Sequence, residues 1–195
     1  GGKGYAYQYG GPCGEALGMK ILATDDGKQM HELHEYVNFE GSTPERAGLF
    51  FDDANRMGCL APMYGGKIES VKKGDYARAY LGTAAPPYEN WTWKKTNLAI
   101  WSPRVVSVPK VGLIVVAEIR SDPIRTSLCS LDIDSGKLTE LLSFGDLRPQ
   151  QLGIDNHEPL GAEDLPIGLA AHQGHVWVSY NQGGSVYLAK ILLSQ

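Results

Sequence analysis

The stretch SPRVVSVPKVGLIVVAEIR (102–120), followed closely by SLCSLDIDSGKLTELLSF (127–144), holds a complete local pattern. Two β-branched runs flank a turn that ends on Gly112. A second pair of strand-like runs flanks the turn Asp134-Ser135-Gly136-Lys137. Branched and aromatic residues favour extended backbone, and a Gly between two such runs supplies the positive φ that tight hairpin turns require. Asp and Ser in the second turn cap it through their own side chains. The pattern therefore predicts two successive hairpins, with four strands in one antiparallel meander.

The same order recurs along the chain, and a fixed order of elements is the signature of a repeat architecture. PIGLAAHQGHVWVSY (166–180) repeats the first hairpin around Gly174, and PERAGLFFDD (44–53) is a shorter version hinged on Gly48. The second hairpin recurs at 16–37 around Asp25-Asp26-Gly27-Lys28, and at 58–71 around Gly65-Gly66-Lys67. The opening KGYAYQYG (3–10) matches only a second strand, and VWVSYNQGGSVYLAKILL (176–193) ends on a third. The expected units are 3–37, 44–71, 102–144 and 166–193 within a single domain, 1–195. Segments 22–33, 60–71 and 131–142 are expected to be hairpins, with Gly27, Gly66 and Gly136 at positive φ. Val115, Val176, Val178, Leu188 and Trp177 are expected in central strands, the first four of them buried. Only 31–37 offers any argument for helix.

Four-stranded antiparallel meanders in series resemble β-propeller blades. The wording Pro166-x-Gly168-Leu169-Ala170 with Gly174-x-x-Trp177-Val178 resembles the blade motif of NHL-type propellers. The fold class that follows is all-β, built of antiparallel four-strand repeats, a β-propeller or part of one. A β-sandwich is the alternative, because short strands with frequent turns suit it as well. The resemblance also implies that ligands bind on the face carrying the connections between the second and third strands of each unit and between one unit and the next. Two strands are missing from the count, one at each end. The exposed edges would then need a partner, either another polypeptide or a second copy of the chain.

Composition narrows the function classes. A net charge of −4 with mixed signs gives no basic stripe for nucleic acid. No apolar run is long enough to span a bilayer as a helix. The opening GGKGYAYQYGG lacks the basic-then-apolar pattern of a secretory leader. Cys13, Cys59 and Cys129 lack CxxC spacing. They read as buried thiols, with one disulfide as the alternative.

Two long connections are expected to carry the site. Segment 72–101 gathers Tyr80, Tyr88, Trp91, Trp93 and Trp101, and segment 145–165 holds Arg148, Asp155, His157 and Glu158. Flat rings stack on sugars and grip peptides, so Tyr88, Trp91 and Trp93, with Arg148 and Asp155, are the candidate ligand-binding residues. The competing role for the rings is to plug sheet faces. His157 beside Glu158 is the candidate acid–base pair. No metal site is expected. His31/His34 and His172/His175 lack a third ligand, and Asp132-Ile133-Asp134-Ser135-Gly136 lacks the later ligands of a calcium loop. Asn90-Trp91-Thr92 fits a glycosylation sequon. There is no GxSxG, HExxH, P-loop or dinucleotide fingerprint, and no cofactor is implied. The leading expectation is a non-catalytic recognition or assembly module that binds a protein or glycan through its long loops. A hydrolase or lyase, and a structural subunit of a larger assembly, are the alternatives.

Overall fold

The computed structural model describes residues 4–9, 19–36, 43–44, 47–64, 78–121, 125–144, 166–182 and 185–193. Every regular element among them is a strand. Sheet one comprises β1 (Gly4–Tyr9), β2 (Met19–Thr24) and β3 (His31–Tyr36). Next come β4 (Thr43–Pro44), β5 (Gly48–Phe51), β6 (Met57–Ala61), β7 (Met63–Tyr64), β8 (Tyr80–Ala84) and β9 (Thr92–Lys95). Of these, β5-β6-β8-β9 form sheet two, while β4 pairs with β7. Sheet three is β10 (Ile100–Val108), β11 (Gly112–Ile119), β12 (Arg125–Asp132) and β13 (Lys137–Ser143). Sheet four is β14 (Pro166–His172), β15 (His175–Gln182) and β16 (Ser185–Leu192). All pairings are antiparallel.

The expected hairpins at 22–33 and 131–142 are present, with Gly27 at φ 73° and Gly136 at φ 74°. Both turns are fastened by an aspartate. Asp26 Oδ1 accepts from the amides of Lys28 and Gln29 at 2.8 and 3.0 Å. Asp132 Oδ1 accepts from those of Asp134 and Ser135, each at 2.9 Å. These amide bonds hold both carboxyls below the ordinary carboxylate range, by favouring the charged form. The weak helical argument for 31–37 gives way to β3 over His31–Tyr36.

The second unit departs from expectation. β6 pairs with β8, from Met57↔Ala84 to Ala61↔Tyr80. Its third strand is therefore 80–84, and sheet two reaches Lys95 instead of ending at residue 71. The Gly65-Gly66-Lys67 turn lies outside the described residues. What looked like one long connection at 72–101 contains β8, β9 and the start of β10. The cause is compositional: Gly82, Pro86 and Pro87 break the apolar pattern that marks the other strands.

The sheets stack face to face in chain order, and side-chain alternation couples them. Along β11, Leu113, Val115, Ala117 and Ile119 pack against Phe50, Leu60 and Leu81 of sheet two. Ile114 and Val116 point the other way, against Val176 and Val178 of sheet four. Ile21 of sheet one meets Met57, Cys59 and Ala61 of β6. Val115, Val176 and Val178 are buried as expected. Leu188 is not: it is 67% exposed, along with Val186 and Leu192. These three alternate on the outer face of sheet four, the same face as half-buried Trp177, against which no described residue forms a further sheet. Being in an apolar strand sufficed for burial only where sheets lie on both sides.

Packing between neighbouring strands of sheet two is tight enough to dictate glycines. A Cβ on Gly58 would lie 2.0 Å from the Phe50 ring, and one on Gly82 would lie 2.6 Å from Trp93. Gly58→Ala should therefore destabilise the fold by about 1–3 kcal/mol, the usual cost of overpacking. In a Phe50→Leu background, the same substitution should cost much less. Urea unfolding of the four proteins checks this, and equal costs in the two backgrounds would contradict the packing described.

Candidate functional site

The first strands of the sheets converge. β10 lies beside β5 on one side and β14 on the other, and the residues between them line an open cleft of about 430 Å³. Its walls come from all four sheets: Tyr5 and Ala6 of β1, Gly48 and Leu49 of β5, Pro103, Arg104 and Val105 of β10, and Leu169 of β14. Gly48 permits the close approach of β5 to β10, since a Cβ there would stand 3.0 Å from the Pro103 carbonyl oxygen.

A bulge shapes the β10 wall. Pairing with β11 shifts register between Trp101 and Arg104, and buried Ser102 adopts φ 48°. Bulges of this kind bend a strand and re-aim the side chain that follows. Here that residue is Arg104, which is half-buried and donates through Nη1 to the Pro103 carbonyl at 3.1 Å. The Tyr5 ring packs edge-on against Tyr88 and tilted against Phe51, at centroid distances of 5.7 and 5.4 Å. Tyr5 is thus braced by two further rings.

The aromatic candidates from 72–101 occupy the seam between sheets one and two. Tyr88 is buried, and its hydroxyl donates to the Asn55 carbonyl at 3.2 Å. Trp91 and Trp93 are half-buried and stacked, with centroids 5.7 Å apart and planes 22° from parallel. The Trp91 indole donates to the Tyr88 carbonyl at 2.9 Å, and Trp93 covers Gly82. All three pack on the cluster around Ile21 and Met57. Tyr88 and Trp91 sit in the β8–β9 turn, which is equivalent to the Gly27 and Gly136 turns of neighbouring sheets. They therefore occupy the same end of the molecule as those turns, not the opposite face. That end is tied together by Arg56, which pairs with Asp52 at 2.7 Å and Asp134 at 2.8 Å. Lys94 adds a bond to the Asp134 carbonyl at 2.6 Å.

Arg148, Asp155, His157 and Glu158 lie outside the described residues, as do the loop that carries them and Cys13. Among the described residues, no group of three or more His, Cys, Asp or Glu is arranged to hold a metal ion. Cys59 and Cys129 are buried, and burial pushes both thiols up, Cys129 to about 12, so neither is a thiolate at neutral pH. No described helix is long and apolar enough to cross a membrane. The cleft itself was missed from sequence, because its lining is split among four distant segments. The only local signal was the Ser-Pro-Arg run at 102–104, which interrupts an otherwise regular strand.

No protein-family model and no curated protein matches this chain. Solved structures do. A protein of unknown function from Dyadobacter fermentans DSM 18053 matches with a TM-score of 0.62 at 15% identity, over 88% of this chain and 44% of that one. A provisionally assigned exo-β-1,3-galactanase from Bifidobacterium bifidum s17 matches at 0.61 and 15% identity, over 96% and 63%. GH43B of the Bacteroides ovatus xyloglucan PUL matches at 0.53 and 13% identity, over 89% and 34%. The chain spans less than two thirds of each of these proteins. At such identities the likeness is one of fold, and it agrees with antiparallel four-strand sheets of the β-propeller type. The NHL-type wording at 166–178 finds no counterpart among these three.

The described packing makes Trp93 a seam residue. Trp93→Ala should lower unfolding stability by about 2 kcal/mol, below the ~3–5 typical of a wholly buried aromatic side chain. Denaturant titration reads this directly, and an unchanged midpoint would show that the ring supports nothing beneath it.

Proposed function

We propose that this chain is a glycan-binding module that takes its ligand in the cleft between the first strands. The observation that carries this is the cleft itself, an open concavity where four sheets meet, walled by a braced Tyr and a cation. Concave sites with a few directed polar groups are the usual form of small-ligand sites. Sugars present apolar faces to aromatic rings and hydroxyls to polar groups, and this lining offers both. The names of two structural neighbours, a galactanase and a xyloglucan-locus protein, favour a sugar ligand over a peptide. Binding through the long loops, expected from sequence, has less support where the described part of 72–101 is concerned, because its rings serve the sheet seam.

Hydrolysis is the second reading, favoured by the same galactanase neighbour. Glycoside hydrolysis ordinarily uses two carboxyl groups on either side of the scissile bond. The described lining of the cleft carries none, so binding is the function these residues support. Calorimetry with galactan and xyloglucan oligosaccharides, together with reducing-sugar release, tests both readings. Binding without sugar release is expected. Ala6→Trp, which fills the cleft, should weaken binding about tenfold or more while the fold remains intact by circular dichroism. Sugar release would establish the hydrolase instead, and full affinity in Ala6→Trp would remove the ligand from the cleft.

A further inference from the structure

Arg104 sets the charge of the cleft. Its guanidinium presents five donors, and the described structure satisfies it only through the neighbouring Pro103 carbonyl. No described residue of the lining is acidic, and no carboxylate pairs with Arg104 among the described residues. Three of the other described arginines are treated differently, while Arg78 is exposed. Arg56 pairs with Asp52 and Asp134, Arg120 with Glu118, and Arg125 with Glu140. The fold thus supplies a carboxylate to each of those three, yet turns Arg104 into an apolar cleft by means of a bulge at a non-glycine φ of 48°. Positive φ at an ordinary residue is a local cost that persists where the surroundings impose it, and such positions cluster at functional sites.

We propose that Arg104 selects an anionic ligand, the carboxylate of a uronic-acid residue in a glycan. This rests on the glycan-binding reading and specifies its ligand class. The planar guanidinium matches a carboxylate with two parallel N–H···O bonds, which are stronger than bonds to neutral oxygens. The half-buried setting limits screening by water and salt, so the pairing keeps more of its strength than at an open surface. With the carboxylate on Arg104, the pyranose face lies towards the Tyr5 wall. One wall then reads charge and the other reads the ring.

The test is calorimetric titration of the whole chain with matched oligosaccharides bearing a neutral, a uronic-acid or a sulfated terminal sugar. The uronate is expected to bind roughly tenfold tighter than its neutral counterpart, and that advantage should shrink as salt is added. Arg104→Met should abolish the advantage, bringing uronate affinity down to that for the neutral sugar, and Arg104→Lys should retain only part of it. Circular dichroism shows whether each variant is folded, and should Arg104→Met not fold, loss of part of the advantage in Arg104→Lys decides the point. Equal binding of neutral and uronate sugars would overturn the charge assignment and leave the glycan reading standing. Tighter binding of the sulfated sugar than of the uronate would overturn the carboxylate in favour of a sulfate ester. Failure of all three to bind would overturn the glycan reading and this inference with it.

Discussion

Burial of the central strands on both faces is the constraint on which the rest of the structure depends. β11 is the clearest case: alternate residues enter two different cores, and Leu113 to Ile119 are all buried. A fully buried Val or Ile side chain contributes about 1.5–3 kcal/mol, so a strand clamped between two sheets is strongly stabilised without any helix. The same clamping leaves little room, and the glycines at 58 and 82 mark where an aromatic ring from the neighbouring strand takes the space of a side chain. Stacking of this kind also explains the cleft. Sheets packed face to face around their first strands meet closely, and the gap left among those strands is bounded by every sheet.

The polar contacts divide along the same geometry. At the end that carries the Gly27 and Gly136 turns, ion pairs and carbonyl bonds stitch one sheet to the next. Arg56 and Lys94 both reach Asp134, and Asn97 exchanges two bonds with Leu138, at 2.9 and 2.7 Å. These tie the turns and shield the ends of the inter-sheet cores. The first strands carry few such ties at the cleft, so its polar capacity there remains available to a ligand.

Much of the fold was legible in the residues because its signals are local. The alternation in 102–120 and the Asp-x-Gly-Lys turn at 134–137 specify strand, turn and strand within a few positions, and the same holds at 19–36. Sheet two was misread for a physical reason. Its third strand, Tyr-Leu-Gly-Thr-Ala, is short and carries a glycine demanded by Trp93 rather than by a turn, a constraint that appears only once β9 is in place. Leu188 was misread because sequence reports that a strand is apolar, not whether another sheet covers it. Tyr88, Trp91 and Trp93 stood out by residue type, and that type serves sheet packing as readily as ligand stacking. Arg104 drew no notice, since a lone arginine in a strand becomes conspicuous only when its surroundings prove to lack a carboxylate.

Ligand binding is proposed at the meeting of the first strands, while the aromatic seam packs sheet one on sheet two. Hydrogen exchange, followed by mass spectrometry with and without a bound oligosaccharide, separates the two most directly. Ligand-induced protection is predicted in peptides covering 4–6, 47–49, 104–106 and 168–170, with 85–93 unchanged. Protection confined to 85–93, with the four cleft segments unaltered, would contradict it.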